Sequence, residues 1–153
     1  MAIFNDLEKD LIKRTKANLD FIDKAKQEGN EGVYETTQLF NSLLGIIVNI
    51  REKKIRPDNF KDIELNDDVK EEWTIPKNIG DKTLAEFLVN LRNAVAHMDI
   101  TFISHNFGEI KTLEFKHKYE DKKKNKIIFW ECTFTVDGMR KFLNKLCEYI
   151  ERN

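Results

Sequence analysis

The sequence has few residues that interrupt or cross-link a chain, with two prolines, six glycines and two cysteines among 153 residues. Cys132 and Cys147 are far apart and lack the paired spacing of a zinc site, so we expect two buried, reduced thiols in a cytoplasmic protein rather than a disulfide. No zinc-ligand set, Gly-rich phosphate loop or Ser-His-Asp arrangement can be assembled from the sequence. We therefore expect neither a metal nor another cofactor.

Long apolar runs and a net charge are also missing. Even the stretch from Leu43 to Ile50 is short and interrupted by Gly45 and Asn49, so no transmembrane segment is predicted. The first residues turn acidic with no apolar run behind them, which argues against a signal peptide. The 26 basic and 27 acidic residues give a formal net charge of −1. Any nucleic-acid binding must therefore be local, or arise on assembly.

The sequence does have helical periodicity. Its apolar spacing predicts four principal helices, over about 5–27, 33–54, 81–98 and 137–152, with Asp81 and Asp137 as the N-caps of the last two. An irregular, acidic connector from 55 to 80 is expected to hold one short helical turn at 69–73. Trp73 in that turn is expected to cover the core, and the alternative is a platform for base stacking.

Between residues 100 and 136 the periodicity becomes two-fold. Strands at 110–119 and 126–136 follow a shorter one near 100. The apolar residues of the two longer strands should share one face: Leu113, Phe115, Tyr119, Ile128, Trp130, Cys132 and Phe134. A hairpin of this kind must lie on helices to be stable. The predicted fold class is mainly α: an antiparallel helical bundle with a β-hairpin or small antiparallel sheet before the last helix, in one domain over 1–153.

The end of the third predicted helix concentrates the polar chemistry. Arg92, Asn93 and His97 bring a guanidinium, a carboxamide and an imidazole into six consecutive residues, and such groups act on phosphates. At about 100° per residue, Glu86, Asn90, Asn93 and His97 form a polar stripe opposite the apolar face. Asn93, one turn before His97, is placed to orient the ring.

Arg92 lies about 140° from His97 around an ideal helix. Both side chains can therefore reach one phosphate only under one of three conditions. The helix loosens before His97, the arginine side chain curls round, or a second copy of the helix supplies the missing half.

Arg92, Asn93 and His97 resemble the signature of the HEPN superfamily, which is an arginine, four to six residues and a histidine, often with asparagine directly after the arginine. The stretch 37–48, with Arg51 and Glu52 following, is similar to the second helix of a plasmid- and defence-associated branch of that superfamily. The resemblance covers nearly the whole chain, and it is specific at these two stretches.

The resemblance implies a metal-independent endoribonuclease that leaves a 2′,3′-cyclic phosphate, acting on single-stranded RNA or tRNA in a bacterial toxin or defence setting. It also implies a homodimer in which the two motif helices face each other. Arg92 of one subunit would then bind the same phosphate on which His97 of the other subunit acts. His97 would then be general base or acid, Arg92 would clamp the phosphate, and Asn93 would orient His97 or the RNA. A cognate antitoxin or neighbouring-gene partner fits the same setting.

Plainer interpretations stay open. His97 could cap the helix, and Arg92 could pair with an acid. His105 and His117 have no partner at metal or catalytic spacing and are expected to be surface or strand residues. Lys122, Lys123 and Lys124 either solubilise a hairpin turn or, with Asn90, contact RNA.

Two other functions use the same residues. One is a catalytically inactive HEPN module that binds RNA, a nucleotide or a partner protein. The other is a helical interaction protein in which the motif helix is only an interface.

Overall fold

The computed structural model describes residues 7–52, 60–76, 80–106, 109–121 and 125–152. Within these ranges the chain forms five helices and three strands, in the order α1 (Leu7–Gln27), α2 (Glu35–Glu52), α3 (Asp67–Glu72), α4 (Leu84–Ala96), β1 (Ile100–Asn106), β2 (Glu109–Asp121), β3 (Lys126–Thr135) and α5 (Val136–Arg152). The predicted fold class is confirmed: four long helices, with a small antiparallel sheet before the last. The predicted turn in the connector is α3.

Hydroxyl side chains, rather than the predicted aspartates, begin the last two helices. Thr83 is the N-cap of α4, and its Oγ1 accepts a hydrogen bond from the Glu86 amide at 3.3 Å. Thr135 Oγ1 accepts from the amide of Gly138 at 3.0 Å and begins α5. The prediction of Asp81 and Asp137 as caps was therefore wrong. The Asp81 carboxylate is instead buried and bound to side chains of other elements.

The three strands form an antiparallel sheet in the order β1-β2-β3, so that β3 is an edge strand. The register pairs Leu113 with Phe134, Phe115 with Cys132, His117 with Trp130 and Tyr119 with Ile128. This is the shared face that two-fold alternation predicts. It packs on α4 and α5, and Leu113, Phe115, Trp130, Cys132 and Phe134 are buried there, whereas Tyr119 at its end is 37% exposed.

The core lies where α4, β3 and α5 meet. Phe87 of α4 is fully buried and lies against Trp130, Phe134 and Phe142, with ring centroids 5.9, 6.2 and 5.5 Å away. Trp73 is buried against Phe142, as predicted. This aromatic cluster fixes α4, and with it the polar stripe, against the sheet.

Both cysteines are free and buried, in agreement with the expectation of two unpaired thiols. Burial raises the pKa of each, that of Cys147 to about 12, so neither is a reactive thiolate at neutral pH. Among the described residues, no helix has the length and apolar character needed to cross a bilayer.

Two apolar residues that fit the helical spacing of the sequence point outward. Phe21 of α1 is 70% exposed and Met98 is 71% exposed. Met98 fits the apolar spacing of α4, but the helix has already ended at Ala96. The apolar spacing from Leu84 to Met98 predicts that Met98 packs in the core, and this prediction is wrong, because the spacing continues past the point where the backbone stops being helical.

Candidate active site at the end of α4

A tight backbone turn presents His97 at the end of α4. His97 is the C-cap, and the next residue, Met98, has a left-handed φ of +57°. The amide of Met98 donates to the carbonyl of Val95 at 3.0 Å, and the amide of Asp99 donates to that of Ala94 at 2.9 Å, which is the Schellman pattern. Lys116 of β2 then donates its amide to the Asp99 carbonyl at 2.9 Å. The exposed imidazole of His97 is therefore carried by a backbone that is tied to the sheet.

Arg92 and Asn93 lie one turn before His97. Arg92 Nη1 donates to Asn93 Oδ1 at 3.0 Å, and both side chains are half-buried. The guanidinium thus bends toward the side of the helix that carries the polar stripe. Within the described part of the chain, no hydrogen bond joins Arg92 to His97, and the buried Nε of Arg92 has no acceptor. Asn93 contributes its backbone carbonyl to the His97 amide at 3.0 Å, while its side chain holds the arginine.

The sheet adds a second histidine that the sequence did not single out. The ring of His117 is parallel to that of His97, with an interplanar angle of 4° and centroids 5.8 Å apart. On its other side His117 stacks on Tyr119, 5.4 Å away. His117 is a strand residue, as expected, but it is only 8% exposed and is not at the surface. A signal was present, because position 117 lies between Phe115 and Tyr119 on the inward alternation of β2.

A groove of about 1050 Å³ runs beside α4, between the helix and the edge strand β3. Asn90 and Asn93 line it from the helix, His117 and Tyr119 from β2, and Trp130 from β3. Its charged lining residues are three acids and one lysine: Asp81, Glu86, Glu131 and Lys82. An extended chain of phosphates is therefore disfavoured along its length, and an anion is better placed near His117, whose ring stacks on that of His97.

Asp81 anchors one wall of this groove. Its Oδ1 accepts from Asn90 Nδ2 at 2.7 Å and its Oδ2 accepts from Trp130 Nε1 at 2.7 Å. Burial raises the pKa of Asp81, although the two hydrogen bonds oppose that shift. These two hydrogen bonds connect α4 to β3. They also fix the Asn90 side chain, whose second amide proton and Oδ1 can still bind a ligand.

The surroundings of His117 favour its neutral form. Burial lowers its pKa below the ordinary 6.5, the charge of His97 lowers it further, and Asp99 opposes both. Because the pKa is lower in the folded protein, His117 of the unfolded chain is protonated first as the pH falls through 6.5.

We therefore expect the free energy of unfolding to decrease as the pH falls from above 6.5 toward the lower pKa of folded His117. His117→Phe should remove the part of this decrease in unfolding free energy that comes from His117. Urea unfolding of both proteins above and below this pH measures it. An identical pH dependence in the two proteins would contradict the assignment.

The remaining predicted residues are distributed as follows. Lys122, Lys123 and Lys124 lie outside the described residues. Asn90, proposed for RNA contact, lines the groove. No group of three or more potential metal ligands occurs in the described ranges.

Comparison with known proteins places this chain in a family. No curated protein and no solved structure matches the chain. Four long helices with a small antiparallel sheet before the last form a HEPN-like fold. The family model described as HEPN pEK499 p136 matches residues 1–153, and the chain belongs to this HEPN family.

Proposed function

We propose that this chain, as one domain over 1–153, is a metal-independent endoribonuclease. It would cleave single-stranded RNA or tRNA by attack of the ribose 2′-hydroxyl, in the cytoplasm of a bacterium and in a toxin or defence role. The observation that carries the proposal is the exposed imidazole of His97 at the end of α4, with a linked guanidinium and carboxamide one turn before it.

Each side chain has a role in this reaction. His97 is a general acid or base, because imidazole exchanges protons near neutral pH. Arg92 clamps the phosphate through the donors that Asn93 leaves unoccupied, and their hydrogen bonds strengthen as charge develops on the phosphate oxygens. Asn93 orients the guanidinium, or the RNA, rather than the imidazole that the spacing alone suggested.

The proposed enzyme is a homodimer. Arg92 and His97 are about 140° apart on one helix, and a second α4 facing the first would bring the arginine of one subunit to the histidine of the other. The exposed side of α4 supports such a contact, because Val89 is 40% exposed and Ala96, two turns later on the same side, is exposed as well. Light scattering on the purified protein tests this, and a monomer at the concentrations used for cleavage would contradict the composite cleft.

The nuclease proposal is tested by incubating total RNA with the wild type and with His97→Ala. We expect fragments ending in 2′,3′-cyclic phosphate from the wild type, in the presence of a chelator, and none from the variant. His105→Ala is the matched control, since it also removes one histidine and should leave cleavage unchanged. Equal cleavage by wild type and His97→Ala preparations would contradict the mechanism.

A second function is favoured by the acidic lining of the groove. Three carboxylates and one lysine suit a partner protein, such as an antitoxin, better than a polyanion. In this alternative the chain is an inactive HEPN module. In that case we expect that the wild type does not cleave RNA but binds a protein encoded beside it. Glu131→Lys should weaken that binding.

A further inference from the structure

The parallel histidine rings of α4 and β2 carry an inference that deepens the proposed nuclease function and rests on it. We propose that His117 is the general base that takes the 2′-hydroxyl proton, and that His97 is the general acid that protonates the departing 5′-oxygen. The two histidines come from one subunit, whereas the phosphate clamp, Arg92, comes from the other.

The geometry places the two imidazoles side by side but in different surroundings. Their planes differ by 4° and their centroids are 5.8 Å apart, so the two rings are stacked as one pair. His97 is exposed at the helix end, and His117 lines the groove while being 8% exposed. A phosphodiester bound at the end of the groove where His117 stacks on His97 would therefore lie close to both rings.

These surroundings assign the two proton-transfer roles. Two imidazolium ions at this separation repel each other, so the pair holds one proton more readily than two. The buried ring of His117, next to the Tyr119 ring, is the one that stays neutral, as a base must be. Asp99 in the adjacent turn favours the protonated form of the pair, and Arg92 on α4 is a further cation. Asp81, Lys82, Glu86 and Glu131 are the other charged groups of the groove.

The step balances without a further reactant. The 2′-hydroxyl gives its proton to the neutral His117, and its oxygen forms a bond to phosphorus. The bond from phosphorus to the 5′-oxygen breaks, and that oxygen takes the proton of the His97 imidazolium. His117 ends protonated, His97 ends neutral, and exchange with water resets the pair.

The test is His117→Phe, which keeps an aromatic ring in the stack and removes the proton chemistry. We expect kcat to fall by about 100-fold or more, the range for losing a general base, with little change in KM and no loss of thermal stability. The pH profile of kcat should be bell-shaped in the wild type. It should lose its acidic limb in His117→Phe, because that limb reports deprotonation of the base. His105→Phe is the control and should keep both limbs.

A readout independent of cleavage separates this inference from the proposed function. NMR titration of the ring protons should show the pKa of His117 rising in His97→Phe, as the ring loses a like-charged neighbour. Unchanged titrations would overturn the pairing. Coupled titrations together with full activity of His117→Phe would overturn the catalytic role alone. A wild type that cuts no RNA would remove the nuclease and that role, while the titrations would still decide the pairing.

Discussion

Mixing the Arg92→Ala and His97→Ala proteins is expected to restore RNA cleavage that neither variant has alone. Each single variant lacks either the phosphate clamp or the acid, and we expect each to lose about 100-fold or more in rate. After subunit exchange, a mixed dimer has one cleft that takes its arginine from one chain and its histidine from the other. With half of the dimers mixed and one of their two sites complete, about a quarter of wild-type activity should return.

The physical reason is the direction of the two side chains on α4. Their angular separation is about 140° on one helix, and Arg92 is held by Asn93 rather than by His97. A site made within one subunit would need the guanidinium, which already bends toward Asn93, to leave that hydrogen bond and reach one turn further to His97. A site made between subunits needs only that the two copies of α4 face each other.

The control is to mix each variant with itself, under the same exchange conditions, which should restore nothing. Differently tagged chains show whether subunits exchange. If they exchange and the mixed sample still does not cleave RNA, a site shared between subunits is contradicted. Activity of Arg92→Ala alone at the wild-type level would contradict the phosphate-clamp role of the arginine.

Phe87→Ala is expected to destabilise the protein by about 3–5 kcal/mol, the usual cost of truncating a fully buried phenylalanine. Phe87 is 0% exposed and contacts the rings of Trp130, Phe134 and Phe142, so no neighbour can easily collapse into the space. Domains of this size are stable by only about 5–15 kcal/mol. Urea unfolding measures the change.

Phe21→Ala is the matched control, because the same atoms are removed from a side chain that is 70% exposed. Its effect should stay within about 0.5 kcal/mol. Equal effects of the two truncations would mean that the aromatic cluster does not fix α4 against the sheet. The same cluster holds Trp130, whose indole binds Asp81, so Phe87→Ala should also disorder that wall of the groove.

The periodicity of the sequence was enough to predict most of the architecture. Two-fold alternation gave the inward face of β2 and β3 correctly, since a register error of one residue would have exposed the whole apolar set. The helix starts were less predictable. Thr83 and Asp81 are both good capping residues, and the choice between them depended on a distant indole and carboxamide that bind the aspartate in the folded chain.

The candidate site was predictable only where it is local. Arg92, Asn93 and His97 are close in sequence, and helical geometry alone relates them. His117 is twenty positions away from His97 and met no spacing rule. Only the turn at Met98 and the return of β2 bring the two rings together. The end of α4 had a similar limit, because the left-handed φ of +57° at Met98 is unusual for a residue other than glycine or asparagine.

By itself the sequence determined the helical class, the inserted sheet and the motif at residues 92–97, because each depends on residues within a few turns or one strand. The tertiary structure decided that Asp81 is a buried anchor, that Met98 points outward and that His117 stacks on His97. Those outcomes depend on which distant side chains compete for the same hydrogen bonds and the same buried space, and that competition exists only once the chain has folded.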